Sequence, residues 1–426
     1  MPPAPVPDSA PRSIVPGARG ALILLLLINL LNYIDRFILA AVERPIRDSL
    51  LSGDPNPMKK TGGLATAFLV TYMLAAPVFG MLADRFSRWL LVGIAVILWS
   101  LAAGATGLAT IFPMLVLARV FVGVGEAGYG PTAPTLIADY YPIEKRASVM
   151  AWFYMAVPLG VALGYGIGGF MEARLGWRSA FFVTVIPSIM LGAMALRRKD
   201  PPRGASDKTS VTKKASIADY LHLLRIRSYL LDTAGMTALT FAIGGISWWM
   251  PAYLEYRKAG SLAQVNMLFG GITALGGIIA TLLGGFAGDR LRPRFPGSYF
   301  LVSGVAILIS CPLILLMLIT PFPSCWVVIF FSVFFLFFNT GPSNTILVNV
   351  TRPAVRATAF ALNILLLHAL GDVMSPPLLG GIIESTPARD NWNMAFVVVA
   401  AVTFIAGILW LLGIPHLKRD TDAALA

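Results

Sequence analysis

Gly80-Met-Leu-Ala-Asp84-Arg85 returns 205 positions later as Gly285-Phe-Ala-Gly-Asp289-Arg290. Each string closes a long apolar run and opens a short basic segment. Two more echoes keep the same order. Pro142 with Arg146-Ala147 is matched by Pro353 with Arg356-Ala357, an offset of 210 at the Arg. Trp177-Arg-Ser-Ala-Phe181 is matched by Trp392-Asn-Met-Ala-Phe396, an offset of 215. Chance likeness between apolar runs explains this poorly, because the matched residues are charged or Trp. The chain reads as two halves related by a parallel repeat.

Between these marks the sequence is too apolar for water-soluble domains. Hydrophobic residues make up 57% and charged residues 13%, against about 25% charged in soluble domains. So much apolar surface also excludes disorder. A membrane-spanning helix needs about 20 mostly apolar residues. Twelve stretches qualify: 19–43, 61–83, 89–110, 112–139, 147–171, 177–197, 229–254, 263–287, 298–319, 323–349, 355–383 and 392–415. The expected fold class is an all-α membrane protein of twelve transmembrane helices in two six-helix bundles. The expected divisions are a disordered tail (1–18), a first bundle (19–197), a linker (198–228), a second bundle (229–416) and a tail (417–426). Within the linker, residues 217–226 are amphipathic, with Tyr220, Leu221, Leu223 and Leu224 on the apolar side, and suit the membrane surface. The run from Ala21 to Leu31 precedes no small-residue cleavage site and reads as a retained helix. Pro2 fits no N-terminal lipidation pattern.

The net charge of +12 takes its meaning from where the basic residues sit. Of 33 Lys and Arg, 22 fall on the side of the two termini, nine on the other side, and Arg36 and Arg119 within spans. The positive-inside rule puts both termini in the cytoplasm of an inner (plasma) membrane, in a multi-pass protein. The charge then faces anionic lipid and is no nucleic-acid footprint. Cys311 and Cys325 match no metal spacing and form no disulfide framework; they read as packing residues.

Two six-helix halves in parallel repeat resemble the major facilitator transporters. The loop string from Gly80 to Trp89, GMLADRFSRW, resembles that superfamily's G-x-x-x-D-R-x-G-R-[KR] motif, departing at Ser87 and Trp89. Arg119-Val-Phe-Val-Gly123-Val-Gly125 resembles its R-x-x-x-G-x-G pattern. Gly160, Gly164, Gly168 and Gly169 resemble an exporter-linked glycine pattern, with Tyr165 in place of its Pro. That departure leaves export and import open. A narrower resemblance rests on Asn32-Tyr33-Ile-Asp35-Arg36, on Gly123-Val-Gly125-Glu126-Ala127 and on Ala133-Pro134-Thr135. These strings are similar to the spinster family, whose members move sphingoid lipids and lysophospholipids. Some organic-anion symporters share the N-Y-x-D-R opening, and Glu126 favours spinster over them.

Ionisable residues inside a membrane are costly and usually serve a cavity. Asp35 lies about 22 Å and Arg119 about 20 Å from the terminus-side surface, at 1.5 Å per helical residue. The resemblance implies that both helices line a central cavity, so an Asp35–Arg119 pair is expected. Glu126 sits seven residues beyond Arg119 on nearly the same face. It is the expected proton acceptor, competing with Asp35 for Arg119. Arg36 is about 100° around the helix from Asp35, and both cavity and outward orientations are open to it. A static ion network is the alternative for this group. In the second half His368 and Asp372 form an i, i+4 pair, read either as a local hydrogen bond or as a substrate contact. Apart from that pair, the second half is expected to lack buried charge. Asn32, Tyr33, Trp152, Tyr154, Trp248, Asn339 and Asn344 are the other expected cavity residues. Charge in one half with amides and aromatics in the other suits an amphipathic substrate better than a dicarboxylate.

The resemblance implies a gate at the repeated loops. Gly80, Asp84, Arg85 and Arg88 in one half, and Gly285, Asp289 and Arg290 in the other, would pair across the halves when it is closed. Gly160, Gly164 and Gly168 recur at close-packing spacing. They read as a packing stripe, at which the halves would rock if it lies between them. No P-loop, zinc motif or G-x-S-x-G elbow occurs. An intramembrane hydrolase using Ser343 and His368 would leave the repeat unexplained. The expectation is a proton-coupled secondary transporter for an amphipathic, lipid-like substrate, or alternatively an organic-anion or sugar-acid proton symporter. No cofactor or metal is expected. The expected partners are protons, a small amphipathic or anionic substrate and membrane lipid, with the chain working as a monomer.

Overall fold

The computed structural model describes residues 14–141, 149, 152–202, 223–351, 356–385 and 391–425. Twelve of its helices are long and apolar enough to span a membrane. They are α1 (Ala18–Ala41), α2 (Pro57–Ala83), α3 (Arg88–Leu108), α4 (Phe112–Ile137), α5 (Trp152–Leu175), α6 (Trp177–Leu196), α7 (Arg227–Tyr256), α8 (Leu262–Leu291), α9 (Ser298–Ile319), α10 (Cys325–Val350), α11 (Leu362–Ile383) and α12 (Trp392–Ala424). The spans agree with the hydropathy reading, and no strand occurs among the described residues. The tail at 1–13, the Pro142/Arg146 echo, Pro353 and linker residues 203–222 lie outside the described residues. So does most of the amphipathic stretch.

An even number of spans returns the chain to its starting side. We call this the terminus side and the opposite one the far side. Helix α1 packs along α5 because Gly160, Gly164 and Gly168 leave room. A Cβ on them would come within 2.4 Å of Tyr33, 2.7 Å of Phe37 and 2.7 Å of Ala41. This glycine stripe therefore holds one half together, and the rocking surface suggested for it lies elsewhere. The halves meet where α5 crosses α8, α2 crosses α11 and α1 touches α7. At α5–α8, Gly169 faces Ala263 and Asn266, and Gly270 faces Ala162 and Tyr165.

The links between the halves gather at the far side and the middle. Asn266 Nδ2 donates to the Ala41 carbonyl at 2.9 Å. Arg44 pairs with Glu255 at 2.6 Å. Glu384 accepts from the backbone N–H of Met58 at 2.5 Å and of Lys59 at 3.2 Å, capping the start of α2 from the opposite half. Gly62 has no room for a side chain, because the Pro376 backbone would be 2.6 Å from it. Deeper in, Thr66 Oγ1 donates to the Val373 carbonyl at 2.6 Å. The Tyr165 hydroxyl donates to the Ser247 carbonyl. Tyr165, the residue that breaks the exporter-like pattern, is thus a bolt between the halves.

The terminus side is built differently. Arg85, Asp289 and Arg290 are exposed. Asp289 accepts from the Tyr299 hydroxyl of its own half at 2.7 Å. Arg88 is buried within its half, held by Asp139 at 2.5 Å and lying 3.7 Å from Asp200. Gly80 and Gly285 have open space where a Cβ would be. The Asp84 side chain is outside the description. Among the described side chains, none of the expected gate residues reaches across the halves. Arg88 in particular anchors the start of the linker: Asp200 accepts from the Arg88 and Trp89 backbone N–H groups at 2.7 and 3.0 Å. Among the described residues, the bundle is bolted at the far side and unclamped at the terminus side.

Candidate substrate and coupling site

A cavity of about 300 Å³ lies between the halves. Helical periodicity decides which α1 residues reach it. Tyr33, Arg36, Phe37 and Ala40 follow i, i+3, i+4, i+7 spacing and line the cavity. Asn32 and Asp35 fall on the other face and are buried inside the first half. Two adjacent charged residues are thereby sent to different places.

Arg36 turns to the cavity with 25% of its side chain exposed. Its Nε and Nη2 donate to Glu126 Oε2 at 2.8 and 2.5 Å. The guanidinium also lies 4.8 Å from the Phe68 ring centroid, 5.2 Å from Tyr33 and 5.8 Å from Tyr72. Such aromatic walls favour a cation and leave its edge free for hydrogen bonds. Glu126 itself is buried, and its Oε1 has no hydrogen-bond partner.

The expected Asp35–Arg119 hydrogen-bonded pair does not form. Arg119 Nη2 donates instead to Thr106 Oγ1 at 2.8 Å, and its Nε is unpartnered. Both Asp35 oxygens lack hydrogen bonds, although Thr184, Glu126, Arg119 and Trp99 surround the carboxyl. Asp35 and Arg119 nonetheless lie close enough to feel each other's charge. Depth alone does not set partners; helix rotation does, and it gives Glu126 to Arg36. If all four groups carry charge, Asp35, Glu126, Arg36 and Arg119 sum to zero.

The second half faces this cluster with His368 and Asp372. His368 Nδ1 lies 3.0 Å from both Asp372 oxygens. The pair sits on a π-helical turn, His368–Asp372, within α11. Such wide turns inside α-helices recur at functional sites. Both residues line the cavity, as do Ser247 and Trp248 of α7. The His368 ring is 6.5 Å from Tyr72 across the halves.

The other expected cavity residues divide. Asn339 is buried away from the cavity, and its Nδ2 is unpartnered. Asn344 spends its side-chain amide on the Thr340 carbonyl one turn back. Trp152 and Tyr154 are 58% and 54% exposed and lie outside the cavity lining. Tyr154 packs on Phe153 and neighbours Tyr33. Sequence reasoning missed Phe68 and Tyr72, whose only signal was an aromatic pair at i, i+4 in α2. It also missed Asp232, so the second half does hold a further buried acid. Asp232 accepts from Trp410 Nε1 at 2.8 Å. It lies five residues into α7, and Gly235 lets the Trp410 ring close over it. Among the described residues no group of His, Cys, Asp and Glu could hold a metal. Cys311 and Cys325 are free thiols.

Twelve spans around a charged cavity at a two-half interface define a multi-pass membrane transporter. The Major Facilitator Superfamily family model matches residues 25–376, so the chain belongs to that superfamily. Within it, the chain belongs to the spinster family. It is 35% identical to "Protein spinster homolog 1" of Xenopus laevis over 434 residues, covering 94% of this chain and 81% of that one. It is 28% identical to "Probable sphingolipid transporter spinster homolog 1" of Arabidopsis thaliana, covering 96% and 90%. Its fold matches the crystal structure of a bacterial homolog of the human lysosomal transporter spinster, in an inward-facing and unoccupied conformation, with a TM-score of 0.83 at 23% identity, covering 95% and 98%. These relatives are transporters, not enzymes.

Proposed function

We propose that the chain is a proton-coupled secondary transporter working by alternating access on an amphipathic, lysophospholipid- or sphingoid-type substrate. The supporting observation is the Arg36–Glu126 pair on the cavity wall. With both acids charged the four-residue cluster is neutral. One proton on Glu126 removes Arg36's partner and leaves a surplus positive charge. An anionic headgroup entering the cavity then neutralises it. Proton and headgroup each favour the other's binding, and such linkage is reciprocal.

Opposite Arg36, the His368–Asp372 turn offers a carboxylate to an amine. A headgroup carrying both phosphate and amine satisfies both walls, and Phe68, Tyr72 and Trp248 accept its apolar part. The name of the Arabidopsis relative favours a sphingolipid-like cargo. The lysine and arginine distribution supports cytoplasmic termini, and the inner (plasma) membrane is the proposed location. On that orientation the unclamped side faces inward. The halves 19–197 and 229–416 act as the rocking bodies, joined by 198–228, and tails 1–18 and 417–426 lie outside them. Arg85, Asp289 and Arg290, with Asp84, form the inner gate, and Arg88 anchors it from within its own half. One chain carries both halves, so a monomer suffices.

The test is transport in proteoliposomes under an imposed pH gradient, with lysophospholipids, sphingoid bases and sugar acids as substrates. Gradient-dependent uptake competed by lysolipids is expected. Competition by sugar acids alone would establish the organic-anion reading instead. Transport indifferent to the gradient would sink proton coupling.

A further inference from the structure

Arg119 is nearly sealed from solvent, yet its one hydrogen bond goes to a neutral hydroxyl. Two carboxyl groups with vacant oxygens, Asp35 and Glu126, lie beside it. Charge-assisted bonds to carboxylate are about twice as strong as neutral ones. A guanidinium that takes the weaker acceptor must be held there.

Thr106 supplies the hold. It is fully buried, and its Oγ1 donates to the Ala102 carbonyl at 3.2 Å. That bond fixes the hydroxyl hydrogen back along α3 and turns an oxygen lone pair toward Arg119. The Phe181 ring, 5.8 Å from the guanidinium carbon, bounds the same place from α6. The charged groups facing Arg119 are Asp35 from α1 and Glu126 from its own helix. The second of these is engaged by Arg36 through one oxygen only. Thr106 belongs to α3, which contributes no charged group to the cluster.

We infer that Thr106 is a positioning residue that parks Arg119 away from the two acids while the terminus side is unclamped. Parking keeps a second cation off the carboxyls and leaves Arg36 as the partner that the substrate can displace. Without the hydroxyl, Arg119 moves onto a vacant carboxyl oxygen of Asp35 or Glu126. A closer cation favours the charged carboxylate, so a proton then binds only at lower pH.

This inference rests on the coupling reading, and the experiment separates the two. Thr106→Val keeps the side-chain shape and removes the acceptor. Thr106→Ala removes it without a β-branch, should the valine variant fold poorly. Thr106→Ser keeps the hydroxyl. Two quantities are read on the full chain: the pH profile of gradient-driven transport, and the pH midpoint of the carboxylic C=O infrared band, assigned by its loss in Asp35→Asn and Glu126→Gln. The valine and alanine variants are expected to move both midpoints about one pH unit to acid, with the serine variant at the wild-type value. An unshifted infrared band in the valine and alanine variants overturns the inference. A serine variant shifted as far as valine also overturns it, since packing alone would then explain the effect. A shifted band in a protein whose wild type ignores the pH gradient would leave Thr106 its role and remove the coupling reading only.

Discussion

The two halves share a plan but not an interior. The first buries Asp35, Arg119 and Glu126 in its interior and turns Arg36 to the cavity. The second presents one His–Asp pair to the cavity and buries Asp232 away from it. Repeated backbone with unequal chemistry points to divided labour. The first half holds a charge balance that one proton can upset. The second reads the polar group that accompanies the anion. Thr106, Thr184 and Trp99 serve the first half by surrounding its charges with neutral hydrogen-bonding groups.

The comparison breaks most visibly at Glu126. Glu126→Gln should abolish uphill transport while substrate counterflow, which needs no net proton movement, persists. Counterflow lost together with uphill transport in a well-folded variant would mean that Glu126 only holds the site together. Arg36→Lys comes next. It keeps the charge but loses the two-point contact and the ring stacking, and should weaken substrate affinity about tenfold to a hundredfold. Binding within twofold of wild type would remove Arg36 as the anion site. Asp372→Asn should cost about tenfold in affinity for amine-bearing substrates, a charged hydrogen bond's worth. It should leave amine-free analogues unchanged, and equal losses for both would end the division proposed for the second half.

The smallest effect concerns the far-side seam. Glu43 is buried beside that seam, and Thr61 Oγ1 donates to it at 2.5 Å. Burial pushes its carboxyl above the usual range, against the opposing pull of Arg47 and the Thr61 hydrogen bond. The closed far side therefore binds this proton more tightly than an opened, solvated one. Its contribution to closure is fully present below the ordinary carboxylate range, and it is lost as pH rises through Glu43's raised one. Distance spectroscopy across α2 and α11 should show the closed population falling over that window, and Glu43→Gln should flatten the dependence. An equal slope in the variant would assign the effect to another group.

Much of this was legible in one dimension. Span count and repeat follow from hydropathy and from charged and Trp marks recurring in the same order at offsets of 205 to 215. The helical rise suggests that Asp35 and Arg119 lie near each other, and they do. Partner choice was not legible, because it depends on rotation about each axis. The glycine stripe of α5 sets the rotation of α1, sending Arg36 to the cavity and Asp35 inward. Asp232 lies near the start of α7 with no sequence sign of burial; the approach of Trp410 over Gly235 buries it. Glu384 lies at the end of α11 and gives no sequence sign that it caps α2 from the other half.

The central claim is that a proton on Glu126 releases Arg36 to the substrate. Calorimetric binding of a zwitterionic lysophospholipid, repeated in buffers of different ionisation enthalpy, counts the protons taken up with each headgroup. The account predicts uptake approaching one proton per substrate at neutral pH, and none in Glu126→Gln. No uptake in the wild type, or the same uptake in the variant, would contradict it.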